Sequence, residues 1–89
     1  MFPDTLDNAI VLEYTSRKHF HQFTDYDDDD NPVLKEICYY AICCYESGQY
    51  YLFGCDEHFD VLTDDCWDTV EECKQSELLL PPDTMWYKK

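Results

Sequence analysis

The sequence predicts an α+β domain, with an antiparallel sheet of three or four strands and one C-terminal helix packed on one face. Two runs rich in aromatic and β-branched residues flank a short polar gap that contains glycine, which indicates a hairpin. A Thr-x-x-Glu motif near the C-terminus indicates a helix start. The 89 residues fit a single compact domain over residues 1–89.

The N-terminal third contains one strand candidate, residues 8–15. Its β-branched residues favour a strand with Ile10, Leu12 and Tyr14 on one side. An amphipathic helix using Leu6, Ile10 and Tyr14 is the alternative. A basic cluster follows at residues 17–21 and precedes an acidic loop near residues 25–32. We expect these opposite charges to pair within the fold, each pair contributing about 0–1 kcal/mol.

The central hairpin joins strands at residues 36–45 and 49–55. A two-residue loop, Ser47-Gly48, would place Cys43 opposite Leu52 and Ile42 opposite Phe53. A short third strand at residues 60–63 then completes a meander. Residues 64–68 are expected to form a loop. Thr69 is expected to cap a helix that runs to about residue 79, with Val70, Cys73 and one of residues 78–80 facing the sheet.

Six cysteines, most of them in apolar runs, predict reduced core thiols, with disulfides or a metal site as alternatives. No Cys-x-x-Cys pair and no zinc-finger spacing occurs. We expect no cofactor and no metal. The start of the chain lacks a basic region followed by an apolar one, so the sequence predicts a cytoplasmic protein.

The net charge is -14, from 20 acidic and 6 basic residues. Such a charge favours a strongly basic partner, and it disfavours direct binding to nucleic acid or to anionic lipid. No apolar run is long enough for a transmembrane helix. The sequence therefore predicts a basic protein or nucleoprotein complex as the partner, and no membrane.

Two acidic zones are the candidate contact surfaces. In the first, residues 25–36, the acidic positions partly match a calcium-binding EF-hand loop, but Asp30 stands where that loop needs glycine. A solvated loop and a partner-binding surface are the other interpretations. In the second, residues 56–72, Trp67 is either an interface anchor or a lid on the core. The candidate partner-binding residues are Asp27, Asp28, Asp29, Asp30, Asp56, Glu57, Asp60, Asp64, Asp65, Trp67 and Asp68.

Catalysis has little support in the sequence. His19, His21 and His58 stand in no recognisable motif with a nucleophile, and two glycines form no phosphate-binding loop. We therefore predict no catalytic residues and expect that the protein is not an enzyme.

From Tyr50 to Trp86 the chain resembles small acidic bacterial or phage proteins of immunity or anti-defence type. The resemblance lies in the strand at residues 51–56, the segment at residues 61–64, the helix start at residues 69–74 and the closing Trp86. It implies a small α+β fold and no active site. With the charge, it predicts an inhibitor that occludes a basic surface, such as a nucleic-acid-binding one, as a nucleic-acid mimic would.

Two alternatives stay open. The first is a housekeeping interaction domain or homodimer whose acidity serves solubility. Its self-pairing face would consist of Tyr39, Tyr45, Tyr50 and Leu52. The second is a calcium-responsive protein that uses residues 25–36.

Overall fold

The computed structural model describes residues 2–75, 80–81 and 83–89. Over these residues the chain is 52% strand and 6% helix. The elements in order are β1 (Thr5–Leu6), β2 (Ala9–Thr15), β3 (His21–Tyr26), β4 (Pro32–Ile37), β5 (Tyr39–Cys44), β6 (Tyr50–Cys55), β7 (Val61–Trp67), α1 (Val70–Lys74) and β8 (Trp86–Lys88).

The main sheet is antiparallel and curled, and its strands follow the order β1-β2-β5-β6-β7. The short strand β8 pairs with β2 beyond the end of β1. Strands β3 and β4 form a separate two-stranded sheet. The predicted α+β fold, a sheet packed against a C-terminal helix, is therefore wrong: the fold is mostly β.

The helix start was located correctly, but the helix is far shorter than expected. Thr69 Oγ1 accepts a hydrogen bond from the Glu72 N–H at 3.1 Å, as a helix cap does. The helix ends at Lys74, with Gln75 as its C-cap. The predicted residues 76–79 lie outside the described part of the chain. Five helical residues are too few to cover a sheet face, and Cys73 is the one fully buried among them.

The central hairpin exists, but its register differs by one residue from the prediction. The Gly48 N–H donates to Tyr45 O at 3.1 Å, and Gly48 has a φ of 87°. The turn therefore has three residues, with glycine in the left-handed position, instead of two. As a result Ile42 lies opposite Leu52, and Ala41 lies opposite Phe53.

This shift redistributes the side chains between the two faces, because neighbouring residues of a strand point to opposite sides. One face carries a core cluster of Phe2, Leu6, Ala9, Val11, Ala41, Cys43, Phe53 and Cys55. The other carries Ile37, Tyr40, Ile42, Leu52, Cys73 and Leu80. Tyr39 and Tyr45 pack on the first cluster, whereas Tyr50 and Leu52 belong to the second. The four residues of the predicted self-pairing face therefore do not share a surface.

The N-terminal strand is confirmed as β2, but its predicted apolar side is not. The pairing with β5 shifts between Val11 and Glu13, which marks a bulge at Leu12. Val11 is buried in the first core cluster, and Tyr14, beyond the bulge, packs against the same cluster, while Ile10 is 58% exposed. A bulge of this kind cannot be predicted from the alternation of apolar and polar residues along the strand, since it changes the face of every residue beyond it.

The meander of β5, β6 and β7 is confirmed, and two predicted loops are partly strand. Strand β7 extends to Trp67, so the loop expected at residues 64–68 is mostly strand. The acidic loop expected near residues 25–32 is the end of β3, the turn at residues 27–31 and the start of β4. The first acidic zone is thus an ordered hairpin.

Candidate protein-binding surface

Two acidic turns are held by the same set of hydrogen bonds. In the β3–β4 turn, Asp27 Oδ1 accepts from the N–H groups of Asp29 and Asn31, both at 2.9 Å. The Asp27 N–H donates to Asn31 O at 3.1 Å and closes the turn. Asp30 has a φ of 60°, the left-handed conformation that the central hairpin gives to glycine.

The β6–β7 turn repeats this pattern. Asp56 Oδ1 accepts from the His58 N–H at 2.8 Å and from the Asp60 N–H at 3.0 Å. Phe59 has a φ of 66°, matching Asp30. In both turns the carboxylate of the first aspartate therefore accepts hydrogen bonds from backbone N–H groups of the same turn and holds the turn in one conformation. The remaining carboxylates of the turns project from a defined framework.

The β3–β4 hairpin, residues 21–37, is called the arm below. Its base is anchored by Ile37, which is 1% exposed in the second core cluster. Five of the six β3 residues are exposed, so the arm projects beyond the sheet. Its turn carries Asp27, Asp28, Asp29 and Asp30, all exposed.

Two large apolar side chains on the arm are also exposed. Tyr26 is 64% exposed and Leu34 is 67% exposed. Tyr26 pairs with Pro32, and Leu34 pairs with Thr24, so both side chains point to the same face of the hairpin. Sequence reasoning missed them. The available signal was the presence of aromatic and β-branched residues, such as Phe23, Thr24 and Val33, on both sides of the acidic run.

The basic residues that pair do so away from the end of the arm. Arg17 binds Glu57 at 2.8 Å, and His19 Nδ1 lies 3.0 Å from Glu36 Oε1. The other three pairs among the described residues are His58 with Glu57 at 3.5 Å, Lys74 with Glu13 at 2.8 Å and Lys89 with Asp4 at 2.7 Å. The expected pairing of residues 17–21 with the turn is therefore absent. Across the described ranges, Asp27 to Asp30 have no cation within ion-pair distance.

The two acidic zones meet at a cleft. Residues 33–36 of β4 form one wall, and Asp56, Glu57 and His58 of the β6–β7 turn form the other, around a volume of about 270 Å³. Hydrogen bonds from Gln22 and then from His19 lower the pKa of Glu36, which lines this cleft. Of the predicted contact residues in this cleft, Glu57 already binds Arg17, and the Asp56 carboxylate already accepts from backbone N–H groups.

A second concavity, called the groove below, lies beside β7. It is lined by Asp7 in the β1–β2 turn and by residues 59–64, with a volume of about 470 Å³. Asp60 and Asp64 of the second zone are among its lining residues, and both are exposed. Predicted contact residues therefore occupy three places: the turn of the arm, the cleft and the groove.

Three predicted contact residues lie elsewhere. Trp67 packs against the second core cluster, with a buried Nε1 that has no partner in the described part of the chain. This is the core position that the sequence left open as the alternative. Asp65 is half-buried on the same face, and Tyr40 has its pKa raised to about 12 by burial and then by Asp65. Asp68 is exposed just before α1.

The carboxylates of the first acidic zone are not arranged around one point. Glu36 lies opposite Gln22, whereas Asp25 lies opposite Val33, three residue pairs farther along the arm. The Asp27 carboxylate is already occupied by backbone N–H groups. In residues 2–75, 80–81 and 83–89, no group of three or more His, Cys, Asp or Glu side chains is placed to hold a metal ion.

All six cysteines are free thiols. Burial raises the pKa of Cys43 and of Cys55 to about 12, and that of Cys73 to about 11. Cys66 on β7 is the exposed one. The four buried thiols, Cys38, Cys43, Cys55 and Cys73, are small core side chains, as the sequence predicted, whereas Cys66 is not.

The chain matches no family model, no curated protein and no solved structure. Within the described ranges, no helix has the length and apolar character needed to cross a bilayer.

Proposed function

We propose that this is an acidic inhibitory binding protein, of toxin-immunity or anti-defence type, that covers a basic surface of a protein or nucleoprotein target. The observation that carries the proposal is the arm. It presents Asp28, Asp29 and Asp30 without intramolecular cations in the described structure, next to the exposed Tyr26 and Leu34.

The arm combines the two parts of a protein-binding surface. Carboxylates steer a basic partner toward the site and raise the association rate, while a partly apolar centre supplies the contact that is desolvated on binding. The hydrogen bonds of Asp27 fix the turn in advance, so little conformational entropy is lost when the arm binds. Tyr26 and Leu34 are the proposed apolar anchors.

The proposed action is steric occlusion, and it includes no catalytic step. A target surface rich in lysine and arginine, such as one that binds nucleic acid, would accept the acidic turn in place of phosphate groups. The cleft beside β4 would extend the same contact to the β6–β7 turn. A cytoplasmic location belongs to this proposal, and six free thiols support it, because such thiols persist in reducing compartments.

The test is affinity capture from lysates of the host and of its competitors, at about 50 mM and about 200 mM salt. The captured target is then purified, and its affinity is measured for two double variants with equal changes in net charge. Asp28→Lys with Asp29→Lys alters the arm, and Glu46→Lys with Glu71→Lys alters exposed positions outside it. Asp27 is left intact because its carboxylate holds the turn.

The proposal predicts that the arm variant loses at least tenfold in affinity, whereas the control loses much less. It also predicts weaker binding at the higher salt concentration. Equal losses in the two variants would show that only the overall charge matters. Self-association that is insensitive to salt, with no captured target, would favour the homodimer alternative.

A further inference from the structure

Strand β7 is an edge strand with one side unpaired. It pairs with β6 along one side, and no other strand within the described residues pairs with it. An edge strand directs alternate backbone N–H and C=O groups away from the sheet, where they can bind another strand. Strand addition at such an edge is a common way to recognise an extended segment.

The groove lies beside this edge and is strongly acidic. Asp60 and Asp64 line its β7 side, and Asp7 lines the other. No lysine, arginine or histidine in the described structure lies within ion-pair distance of these three carboxylates. The wall containing Asp7 is held in place, because the Tyr45 hydroxyl donates to Asp7 O at 2.7 Å.

We propose that the groove binds an extended basic segment of a partner protein, which adds to the free edge of β7 as a further strand. The backbone of the segment would pair with β7, and its lysine or arginine side chains would bind Asp7, Asp60 and Asp64. Backbone pairing provides affinity, and the carboxylates select a basic sequence.

Charge complementarity selects this occupant over a second copy of the chain. Two copies joined edge to edge would bring Asp64 and Asp65 of each β7 close to those of the other, in molecules that each carry a net charge of -14. Like charges at a strand pairing are destabilising. The edge therefore discourages self-pairing but remains open to a basic strand.

The groove and the arm are different surfaces, so the two proposals are tested separately. The probe for the groove is a synthetic peptide of eight residues that alternates lysine and valine. Its lysines lie on one side when it is extended. Binding is measured by nuclear magnetic resonance titration and by amide hydrogen exchange on the intact protein. A second peptide carries N-methyl groups on alternate residues, which keeps the charge and blocks backbone pairing.

We expect the unmodified peptide to bind with a dissociation constant below about 1 mM and to protect amides within residues 61–67. N-methylation should weaken binding at least tenfold. Asp60→Asn with Asp64→Asn should weaken it severalfold, while Asp28→Asn with Asp29→Asn, which changes the charge equally, should not. Equal binding of the two peptides, equal effects of the two variants, or no binding would overturn the proposal. Dimerisation through β7 would overturn the assignment of the occupant.

Discussion

Gly54 on β6 allows the arm to dock on the sheet, and its replacement by alanine tests how the arm is anchored. A Cβ atom built at this position would lie 3.0 Å from Ile37 Cδ1 and 3.2 Å from Ile37 Cγ2, and would collide with Thr63 Oγ1. The Thr63 side chain can rotate away. Ile37 has little freedom, because it is 1% exposed at the base of the arm.

The expected loss in the free energy of unfolding for Gly54→Ala is about 2 kcal/mol, within the usual range of about 1–3 kcal/mol for overpacking a core. For a domain of this size the loss corresponds to a decrease of about 10 °C in the melting temperature. Urea denaturation measures the first quantity, and calorimetry measures the second. Amide exchange in the arm should also become faster, since Ile37 joins the arm to the core.

A second change separates this mechanism from a general loss of glycine. Ile37→Val removes the Cδ1 atom, so it should offset part of the effect of Gly54→Ala, with a coupling energy of at least about 0.5 kcal/mol in a double-mutant cycle. Gly48→Ala serves as the contrast, because the site is open and only its φ of 87° opposes a side chain. A neutral Gly54→Ala, or strict additivity with Ile37→Val, would refute the packing argument.

Three further predictions concern local features. Asp27→Ala should lower the free energy of unfolding by about 1 kcal/mol in urea denaturation, because two backbone N–H groups lose their acceptor, whereas Asp28→Ala should change it little. A thiol reagent should label Cys66 in the native protein and Cys43 only after unfolding. Burial raises the pKa of Cys43 from 9.0 to about 12. The free energy of unfolding should therefore fall as pH rises between these two values, because the unfolded chain loses the Cys43 proton first. Glu36, with its lowered pKa, should contribute stability above its usual pKa of 4.5 that is lost as pH falls below it, and Glu36→Gln should flatten acid denaturation curves there.

Local signals in the sequence located several elements correctly. Thr69 and Glu72 marked the helix start because a cap depends on residues three positions apart. The β-branched residues of β2 and the runs that form β5 and β6 identified three strands. Each of these signals lies within about ten residues, and tertiary packing does not reverse it.

The register of the central hairpin and the ordered structure of the arm could not be predicted from such local signals. A left-handed Gly48 fits a turn of two or of three residues, and the choice between them exchanges the two faces of β6 relative to β5. The bulge at Leu12 and the short helix depend on pairing between distant segments. In the arm, the run of aspartates indicated a loop, and the aspartate–backbone hydrogen bonds that order it are visible only in the folded turn.

The acidic character of the candidate surface could be predicted from composition, but the arrangement of its residues in space could not. The eleven predicted residues include the turn of the arm and the β7 side of the groove, but not Asp7 on its other side, and they also include the core residue Trp67. Tyr26 and Leu34 were missed because exposure of an apolar side chain depends on which face of a hairpin is covered. The free edge of β7 was missed because residues 64–68 were expected to form a loop.

The most direct test of the central claim is an amide hydrogen-exchange map of this protein, alone and bound to its captured target. We expect protection on binding to be concentrated in residues 21–37 and to extend to the turn at residues 56–60. We also expect protection in the arm to be lost in the Asp28→Lys, Asp29→Lys variant. Protection that leaves the arm unchanged would contradict the claim that the acidic arm binds the target.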